Sequence, residues 1–366
     1  MKNKIIYFIL LSVFMIGFSK SIKAKFISAL DKKFYFEGVK YIKKTDNGII
    51  FRRFSDEVLK LRPKVSGFNP KKATGTTGIK IFFKTDSSKI TLFFKPVENS
   101  LNQGAQFGVS INGKWFKSFN FWRKAKDFKF TIEPDSGKKV NEYEIDLPSF
   151  ADVEFSGIEI NNQAKLYSIK RKKKKVYVAL GDSITHGRGQ KSSSFLTYPF
   201  LLAEKLNYEL YNLAVGGGKI SVPAGEMLKD WNKIDLITIL IGYNDLHSAG
   251  KSIDRFKNEY NKLIDAIRKN HPKTPVFCIS PLFTRKPVSK KTGINIVEFR
   301  KVVENIVQQR RQNGDKNIYL IKGDEITSEE FLRTDRPDPV HLSPKGASML
   351  ADRLYEIIVK TLKIKK

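Results

Sequence analysis

Cysteine and histidine are scarce in this chain of 366 residues, which contains one cysteine and four histidines. A single cysteine excludes an intramolecular disulfide, and its position, Cys278, excludes a lipid-modified cysteine near residue 20. Cys278 lies in the apolar segment 275–280, so we expect a buried and unreactive strand residue. The few histidines leave a small set of candidates for a catalytic base.

Long hydrophobic runs are also rare, and the clearest one spans residues 5–18. Lys2 and Lys4 precede it, and the run is shorter than the roughly 20 apolar residues that cross a bilayer. This pattern predicts a secretory signal peptide over residues 1–24, with cleavage after Ala24. An uncleaved N-terminal anchor is the alternative, and the pattern does not distinguish periplasmic from extracellular protein.

Acidic residues are outnumbered, with 37 Asp and Glu against 67 Lys and Arg and a formal net charge of +30. A protein this basic is expected to concentrate near anionic surfaces, such as acidic or sulfated polysaccharides or a phospholipid or lipopolysaccharide face. A lysine-rich composition without function is the alternative. The basic run 170–175 is interpreted as a solvated linker between domains. We predict no nucleic-acid partner, because no helix-turn-helix, zinc-finger or RNA-binding motif accompanies the run.

Residues 25–169 carry short apolar runs with the alternation typical of strands, separated by turn residues. Asn112-Gly113 between two such runs is a strong β-hairpin signal. We predict an antiparallel β-sandwich or jelly roll, without a convincing helix and without a motif that would carry chemistry. The predicted strands are 78–84, 89–95, 107–111, 114–119, 128–132, 143–147 and 153–160.

Residues 176–366 alternate between strands and helices, which predicts a parallel sheet covered on both faces. The expected fold is a three-layer α/β/α, flavodoxin-like domain. Its predicted strands are 176–180, 209–213, 234–241, 276–280 and 317–321, and its predicted helices are 198–206, 253–269, 294–311 and 344–362.

Ser183 is the leading candidate nucleophile. It lies in the turn Gly181-Asp182-Ser183 directly behind the predicted strand 176–180, at the edge where open parallel sheets bind ligands. A hydroxyl exposed there suggests nucleophilic catalysis. A simple helix cap by Asp182 and Ser183 is the alternative.

His341 is the candidate base for that serine. It stands in Asp338-Pro339-Val340-His341, where a carboxylate on a proline-braced loop can turn back onto the imidazole and hold it in one orientation. Ser343-Pro344 predicts the start of the last helix, so His341 is expected in the loop before it. A surface loop that merely contains Asp and His is the alternative.

Two further segments offer hydrogen-bond donors for an oxyanion. Asn244 follows the predicted strand 234–241, and Gly216–Gly218 follow 209–213. Glycine N–H groups can approach a ligand without interference from a Cβ atom. Ordinary turns are the alternative for either segment alone.

These blocks, in this order, resemble the SGNH branch of the GDSL esterases and lipases over about residues 176–360. The resemblance implies that Ser183 attacks an ester as nucleophile, that His341 acts as general base and that Asp338 orients it. An acyl-enzyme would form and then be hydrolysed, with no metal ion and no cofactor. His186 is a rival base by proximity, but a side chain three positions beyond the serine is expected to point past its hydroxyl.

The same resemblance implies an oxyanion hole. Its members would be the Ser183 N–H, the Gly217 N–H and the Asn244 side chain. Three consecutive glycines leave Gly216 open as the alternative to Gly217.

A β-sandwich ahead of such a hydrolase domain is similar to the two-domain bacterial carbohydrate acetylesterases, in which the sandwich borders the active site. This resemblance implies a secreted serine esterase that removes O-acetyl groups from a neutral or anionic polysaccharide or oligosaccharide. The alternative is a lipolytic esterase, lysophospholipase-like or thioesterase-like, that contacts an anionic membrane surface without spanning it. A binding module with a vestigial hydrolase half is disfavoured by the intact candidate residues.

Several side chains are candidates for binding the substrate. Tyr243 and His247 flank the Asn244 block, and Trp231 is an aromatic candidate. Aromatic rings suited to stacking on sugars, with packing as the alternative role, are Trp115, Phe119, Trp122 and Trp231. His271, before Pro272, is interpreted as an exposed helix end.

Overall fold

The computed structural model describes residues 24–364, and the predicted signal segment lies outside them except for Ala24, the first residue of a strand. The amino-terminal half is built from antiparallel strands. These are β1 (Ala24–Ser28), β2 (Tyr35–Glu37), β3 (Tyr41–Lys44), β4 (Ile49–Arg52), β5 (Lys80–Thr85), β6 (Ile90–Pro96), β7 (Ala105–Ile111), β8 (Lys114–Phe121), β9 (Phe128–Ile132), β10 (Asn141–Asp146), β11 (Val153–Asn161) and β12 (Leu166–Tyr167).

The strands form two sheets that pack face to face, as predicted. One sheet has the order β3-β4-β11-β6-β9 with β1 also paired to β11, and the other has the order β12-β5-β10-β7-β8 with β2 paired to β5. Phe94 of β6 meets Phe107 of β7 across the core, with ring centroids 4.7 Å apart. Asn112 and Gly113 both have positive φ, of 52° and 77°, as the tight β7–β8 hairpin requires.

Two features of this half differ from the sequence-based expectation. Three short helices, α1 (Asp56–Lys60), α2 (Pro63–Ser66) and α3 (Pro70–Ala73), separate β4 from β5. The basic run 170–175 is also not simply solvated. Arg171 pairs with Glu37 at 3.0 Å, and Lys174 pairs with the same carboxylate at 3.1 Å, so the linker is attached to the sandwich.

The carboxyl-terminal half is the predicted α/β/α domain. Its parallel strands have the flavodoxin-like order β14-β13-β15-β16-β17, with β13 (Lys175–Gly181), β14 (Tyr208–Asn212), β15 (Leu236–Leu240), β16 (Val276–Ile279) and β17 (Ile318–Ile321). Its helices are α4 (Ser183–His186), α5 (Tyr198–Leu206), α6 (Val222–Glu226), α7 (Tyr243–His247), α8 (Ile253–Asn270), α9 (Ile296–Gln312) and α10 (Pro344–Leu362), with 3₁₀ turns at Met227–Asp230 and Glu329–Phe331.

The sequences of the parallel strands are apolar because the strands are buried on both faces. All five residues of β15 are buried, because helices cover both faces of the sheet. Cys278 is fully buried in β16, and burial raises the pKa of its thiol to about 12, as expected for an inert residue. Among residues 24–364, no helix is long and apolar enough to cross a membrane.

Buried charges join the two halves. The Arg53 side chain lies between them, wholly removed from solvent, and donates hydrogen bonds to the carbonyls of Asn212 and Ala214 at 2.5 and 2.8 Å. Lys80 of β5 is bonded at 2.6 Å to Glu204 of α5. A buried cation is tolerated only when its donors are satisfied, so these contacts bind the sandwich to the end of β14 and to α5.

Candidate active site

Ser183 stands where β13 ends and α4 begins. The Asp182 side chain caps α4 by accepting the Ile184 N–H at 2.9 Å, and Ser183 is the first helical residue. Burial raises the pKa of Asp182 to about 7. The cap and the strand end together place the Ser183 hydroxyl at the carboxyl edge of the central strand, as the sequence predicts.

His341 reaches the serine from the loop that precedes α10. Its Nε2 atom lies 2.8 Å from Ser183 Oγ, and its Nδ1 atom lies 2.9 Å from each carboxylate oxygen of Asp338. Asp338 also accepts the backbone N–H of Val340 at 3.2 Å and that of His341 at 3.0 Å. The structure therefore brings together the three residues of the candidate triad.

Electrostatics suits His341 to act as a neutral base. Burial lowers the pKa of His341 below its ordinary value, and the opposing charge of Asp338 does not fully compensate. Burial alone would raise the pKa of Asp338, but the backbone N–H and the imidazole of His341 outweigh it and leave that pKa below its ordinary value. The imidazole is thus unprotonated and the carboxylate charged near neutral pH.

The glycine segment after β14 contains one N–H that has no acceptor among residues 24–364. Gly216 is buried and donates its N–H to Nδ1 of His186 at 2.9 Å, so this group is already engaged. Gly217 is partly exposed with φ +78°, a conformation that favours glycine. Within residues 24–364, no acceptor takes the N–H of Gly217 or of Ser183. The hydrogen bonding therefore favours Gly217 over Gly216 as the oxyanion donor.

Asn244 supplies a side-chain amide at the start of α7, just after β15. Its Nδ2 atom donates to the carbonyl of Gly218 at 3.1 Å, and its Oδ1 atom accepts from Ser248 at 3.4 Å. A primary amide has two N–H donors, so one remains for a ligand. The bond to Gly218 connects the amide to the glycine segment.

His186 is placed as a structural residue and not as a base. Its Nε2–H donates to the carbonyl of Ser149 at 2.8 Å, and its ring stacks on Phe150 at 4.3 Å. Burial lowers the pKa of His186 well below its ordinary value, so the ring stays neutral. Both nitrogens are occupied, and Ser183 Oγ is bonded to His341 instead.

The structure places the candidate substrate-binding residues in different environments. Tyr243 is half-buried at the start of α7, and its ring packs on His247 with centroids 4.3 Å apart. Burial raises the pKa of Tyr243, a hydrogen bond with Thr284 opposes that effect, and the charges of Asp338 and Asp182 raise the pKa further. Tyr243 and His247 thus lie on α7 next to Asn244 and stay candidates for binding the substrate.

Trp231 is a wrong assignment as a substrate-binding residue. It is 5% exposed and packs edge-on against Tyr41 and Tyr211 within the core beneath the sheet. The 3₁₀ turn before it directs the indole inward, and no sequence pattern indicated this. His271 is likewise buried, with its Nε2 atom bonded to the carbonyl of Leu228 at 2.7 Å, and is not an exposed helix end.

The other aromatic candidates lie on β8 or just beyond it. Phe119 stacks on Phe130 with centroids 4.3 Å apart, which is packing within the sandwich. Trp115 is 53% exposed and contacts Phe195, and Trp122 is 65% exposed. Two of the candidates therefore remain available to a ligand.

Sequence reasoning missed four residues at the site, none of which lies in a recognisable motif. Arg188 follows α4, and its backbone N–H donates to the carbonyl of Ser183 at 2.8 Å. Lys72, from α3, places its ammonium 3.7 Å from where a Cβ on Gly217 would lie. Ser149 and Phe150, from the sandwich, hold His186. Only the nearness of Arg188 to the serine in the sequence could have indicated any of them.

Residues 179–349 match the GDSL-like Lipase/Acylhydrolase family. This confirms the resemblance predicted from the sequence blocks. The match contains every candidate catalytic residue described above and supports the prediction of a carboxylic ester hydrolase.

Known proteins with similar sequences or folds include both esterases and an acyltransferase. The cellulase/esterase CelE of Acetivibrio thermocellus is 22% identical over 206 residues, which cover 48% of this chain and 24% of CelE. This chain thus spans about a quarter of that relative. At these identities, the solved structures below show the fold alone.

Two solved structures cover both halves of the chain. A salicylyl-acyltransferase from a tetracycline biosynthetic pathway has a TM-score of 0.78 at 19% identity, covering 93% of this chain and 99% of its own. A family two carbohydrate esterase from Clostridium thermocellum, in complex with cellohexaose, has a TM-score of 0.66 at 16% identity, with 90% and 99% covered. Both likenesses confirm the predicted two-part architecture.

Proposed function

We propose that the protein is a secreted serine esterase that removes O-acetyl groups from a polysaccharide or oligosaccharide. The observation that carries the proposal is the 2.8 Å contact between Ser183 Oγ and His341 Nε2, next to N–H donors that have no partner among residues 24–364. A nucleophile, a base and free donors at one sheet edge are what acyl transfer requires.

In the proposed reaction, Ser183 Oγ forms a bond to the acyl carbon while His341 Nε2 takes the hydroxyl proton. The carbonyl oxygen becomes an oxyanion and accepts hydrogen bonds from the N–H groups of Ser183 and Gly217 and from Asn244. The bond to the sugar oxygen then breaks, and that oxygen receives the proton from His341. A water molecule, deprotonated by His341, releases the acid and restores Ser183.

Two observations support a carbohydrate substrate. The family two carbohydrate esterase noted above shares both halves of this fold. A cavity near the candidate triad is lined by Gln103 and by several arginine, lysine and hydroxyl side chains. These side chains can form hydrogen bonds with the hydroxyl groups of a sugar.

The proposed export rests on residues 1–24, where Lys2 and Lys4 precede an apolar run. Recovery of the protein outside the cytoplasm, with an amino terminus that begins after Ala24, would support it. Retention of the intact amino terminus in the membrane would favour the anchor instead.

The test is acetate release from acetylated xylan, mannan and cello-oligosaccharides, beside p-nitrophenyl esters of increasing chain length. Acetate should be released from at least one glycan, and p-nitrophenyl acetate should be preferred over longer esters. The S183A variant should fold normally and lose at least about 10⁴-fold in kcat. Activity that rises with chain length would support the lipolytic alternative, and full activity in S183A would overturn the nucleophile assignment.

Transfer to an acceptor other than water is a second candidate, favoured by the fold likeness to the salicylyl-acyltransferase over 93% of this chain. Both reactions share the acyl-enzyme and differ only in what attacks it. Product analysis with added sugar alcohols distinguishes them, because a transferase forms a new ester while an esterase releases acid.

A further inference from the structure

A cavity of about 520 Å³ lies at the boundary between the two halves of the protein, and its lining comes from segments close in sequence to Ser183 and His341. Gln103 and Phe150 of the sandwich form one wall. The segments that follow the serine and precede the histidine, 187–192 and 333–336, form the other. The sandwich therefore completes a space that the hydrolase half alone would leave open.

Backbone hydrogen bonds connect this cavity to the reacting residues. The Arg188 N–H donates to the carbonyl of Ser183 at 2.8 Å, and the Arg333 N–H donates to the carbonyl of His341 at 3.0 Å. The two segments that carry these arginines are therefore bonded to the backbone of the nucleophile and of the base. This proximity places the cavity within reach of a glycan substrate that extends from Ser183.

The cavity lining is strongly basic. Arg188, Lys191, Arg333 and Arg336 line it, and the carboxylate that opposes them is Asp335. Asp335 is bonded to Arg333 at 2.7 and 2.5 Å and lies 3.8 Å from Arg336, so one carboxylate faces four cations. The three cations other than Arg333 are exposed, and Arg188 makes a single bond of 3.1 Å, to the neutral Gln103. Positive charge is thus left over for a ligand.

The loop that carries Lys191 is held in a conformation that is costly for its residues. Lys191 and Ser192 have φ of 51° and 62°, although neither is glycine. The sandwich holds this loop, because Ser149 donates its N–H to the Ser192 carbonyl at 3.0 Å and Gln106 accepts from the Ser193 hydroxyl. Strained backbone conformations of this kind cluster at functional sites, where they position side chains for binding or catalysis.

We propose that this cavity binds a carboxylate or sulfate group on the same glycan that carries the ester, so that acidic acetylated glycans are the preferred substrates. Arg188 and Arg336 pair with the anion, and Lys191 adds a third positive charge. The inference rests on the proposed esterase function and names its substrate class.

Matched polymers test the inference. Acetylated homogalacturonan is compared with the same polymer after its carboxyl groups are reduced to alcohols. Acetylated dextran is compared with acetylated dextran sulfate. The acidic member of at least one pair should have the higher kcat/KM, by about tenfold for one charged contact. The preference should shrink between about 50 and 500 mM salt, because salt screens exposed charges. Carboxylate and sulfate are distinguished by which pair responds.

The variants R188Q and R336Q should each reduce the acidic-over-neutral ratio by about tenfold. R255Q removes an equivalent charge from exposed Arg255 on α8, outside the cavity, and should leave the ratio unchanged. Equal rates on acidic and neutral polymers, or an equal loss of both rates in R188Q, would overturn the inference while leaving the esterase proposal intact.

Direct binding separates failure of the inference from failure of the proposed function. S183A should bind oligogalacturonate or sulfated oligosaccharide more tightly than their neutral counterparts, even if no turnover is found on any glycan. Equal binding would overturn the inference. Preference for vesicles of anionic phospholipid over every acidic glycan would overturn it in favour of a membrane surface.

Discussion

The Gly216 N–H donates to the Nδ1 atom of His186 at 2.9 Å. This bond engages the Gly216 N–H, while the next N–H, that of Gly217, has no acceptor among residues 24–364. Because the other ring nitrogen of His186 donates to Ser149, the imidazole also ties the glycine segment to the sandwich. One buried histidine therefore engages the N–H of Gly216, and the prediction that Gly217 serves as the oxyanion donor is consistent with that bond.

The contrast between two histidines tests this role. H186Q keeps one acceptor and one donor, so kcat on p-nitrophenyl acetate should fall less than about tenfold, while the free energy of unfolding falls by about 1–2 kcal/mol. H341Q should lose at least about 10³-fold in kcat with unchanged stability. Steady-state kinetics and urea unfolding measure both. An equally large kinetic loss in H186Q with unchanged stability would contradict the purely structural role of His186.

Asn244 should contribute to the transition state more than to substrate binding. N244A removes one oxyanion donor, so we expect kcat to fall about 10² to 10³-fold with little change in KM. S248A is the matched control, since it removes only the hydroxyl that bonds Asn244 at 3.4 Å. A rise in KM with unchanged kcat would place Asn244 in ground-state binding instead.

The pH dependence should reflect His341. The base must be unprotonated, and burial lowers its pKa, so kcat/KM should rise with pH and level off below the ordinary histidine pKa of about 6.5. The charge of Arg188 also lowers this pKa, so R188Q should move the acid limb to higher pH on an uncharged ester. R255Q should not move it. An acid limb of kcat/KM with its midpoint at or above the ordinary histidine pKa of about 6.5 would contradict the assignment of His341 as the base.

The hydrolase half should depend on the sandwich for its stability. Arg53 donates to four backbone carbonyls, those of Gly75, Ala73, Asn212 and Ala214. R53M leaves these carbonyls without a partner, so unfolding free energy should fall by at least about 3 kcal/mol. R62M, at an exposed arginine, is the control. Equal thermal melting of both variants would disprove this coupling.

Local pattern was enough to predict the candidate triad. The carboxyl ends of parallel strands meet at one edge, so the strand before Ser183 and the strand before Asn244 specified that the two residues would be neighbours. His341 followed from a carboxylate three residues upstream, because the turn between them is short and braced by Pro339. These relationships depend on few residues and on regular geometry.

The failed assignments share a different cause. Trp231 and His271 follow a 3₁₀ turn and a helix end, where no periodicity indicates which way a side chain points. Their burial depends on how the layer formed by α6, α8 and the 3₁₀ turn packs beneath the sheet. Whether a single aromatic or imidazole ring is exposed or buried therefore depends on that packing and not on the local sequence.

The sequence by itself determined the two-part architecture, the strand-end positions of Ser183 and Asn244 and the loop position of His341, because periodicity and turn chemistry act over short distances. Only the tertiary structure decided that His186 engages the N–H of Gly216, and only the tertiary structure brought Phe150 beside His186 and Gln103 beside Arg188. The physical reason is that hydrogen bonds and packing between residues far apart in the chain leave no local pattern, and they exist only once the sandwich and the hydrolase half are in contact.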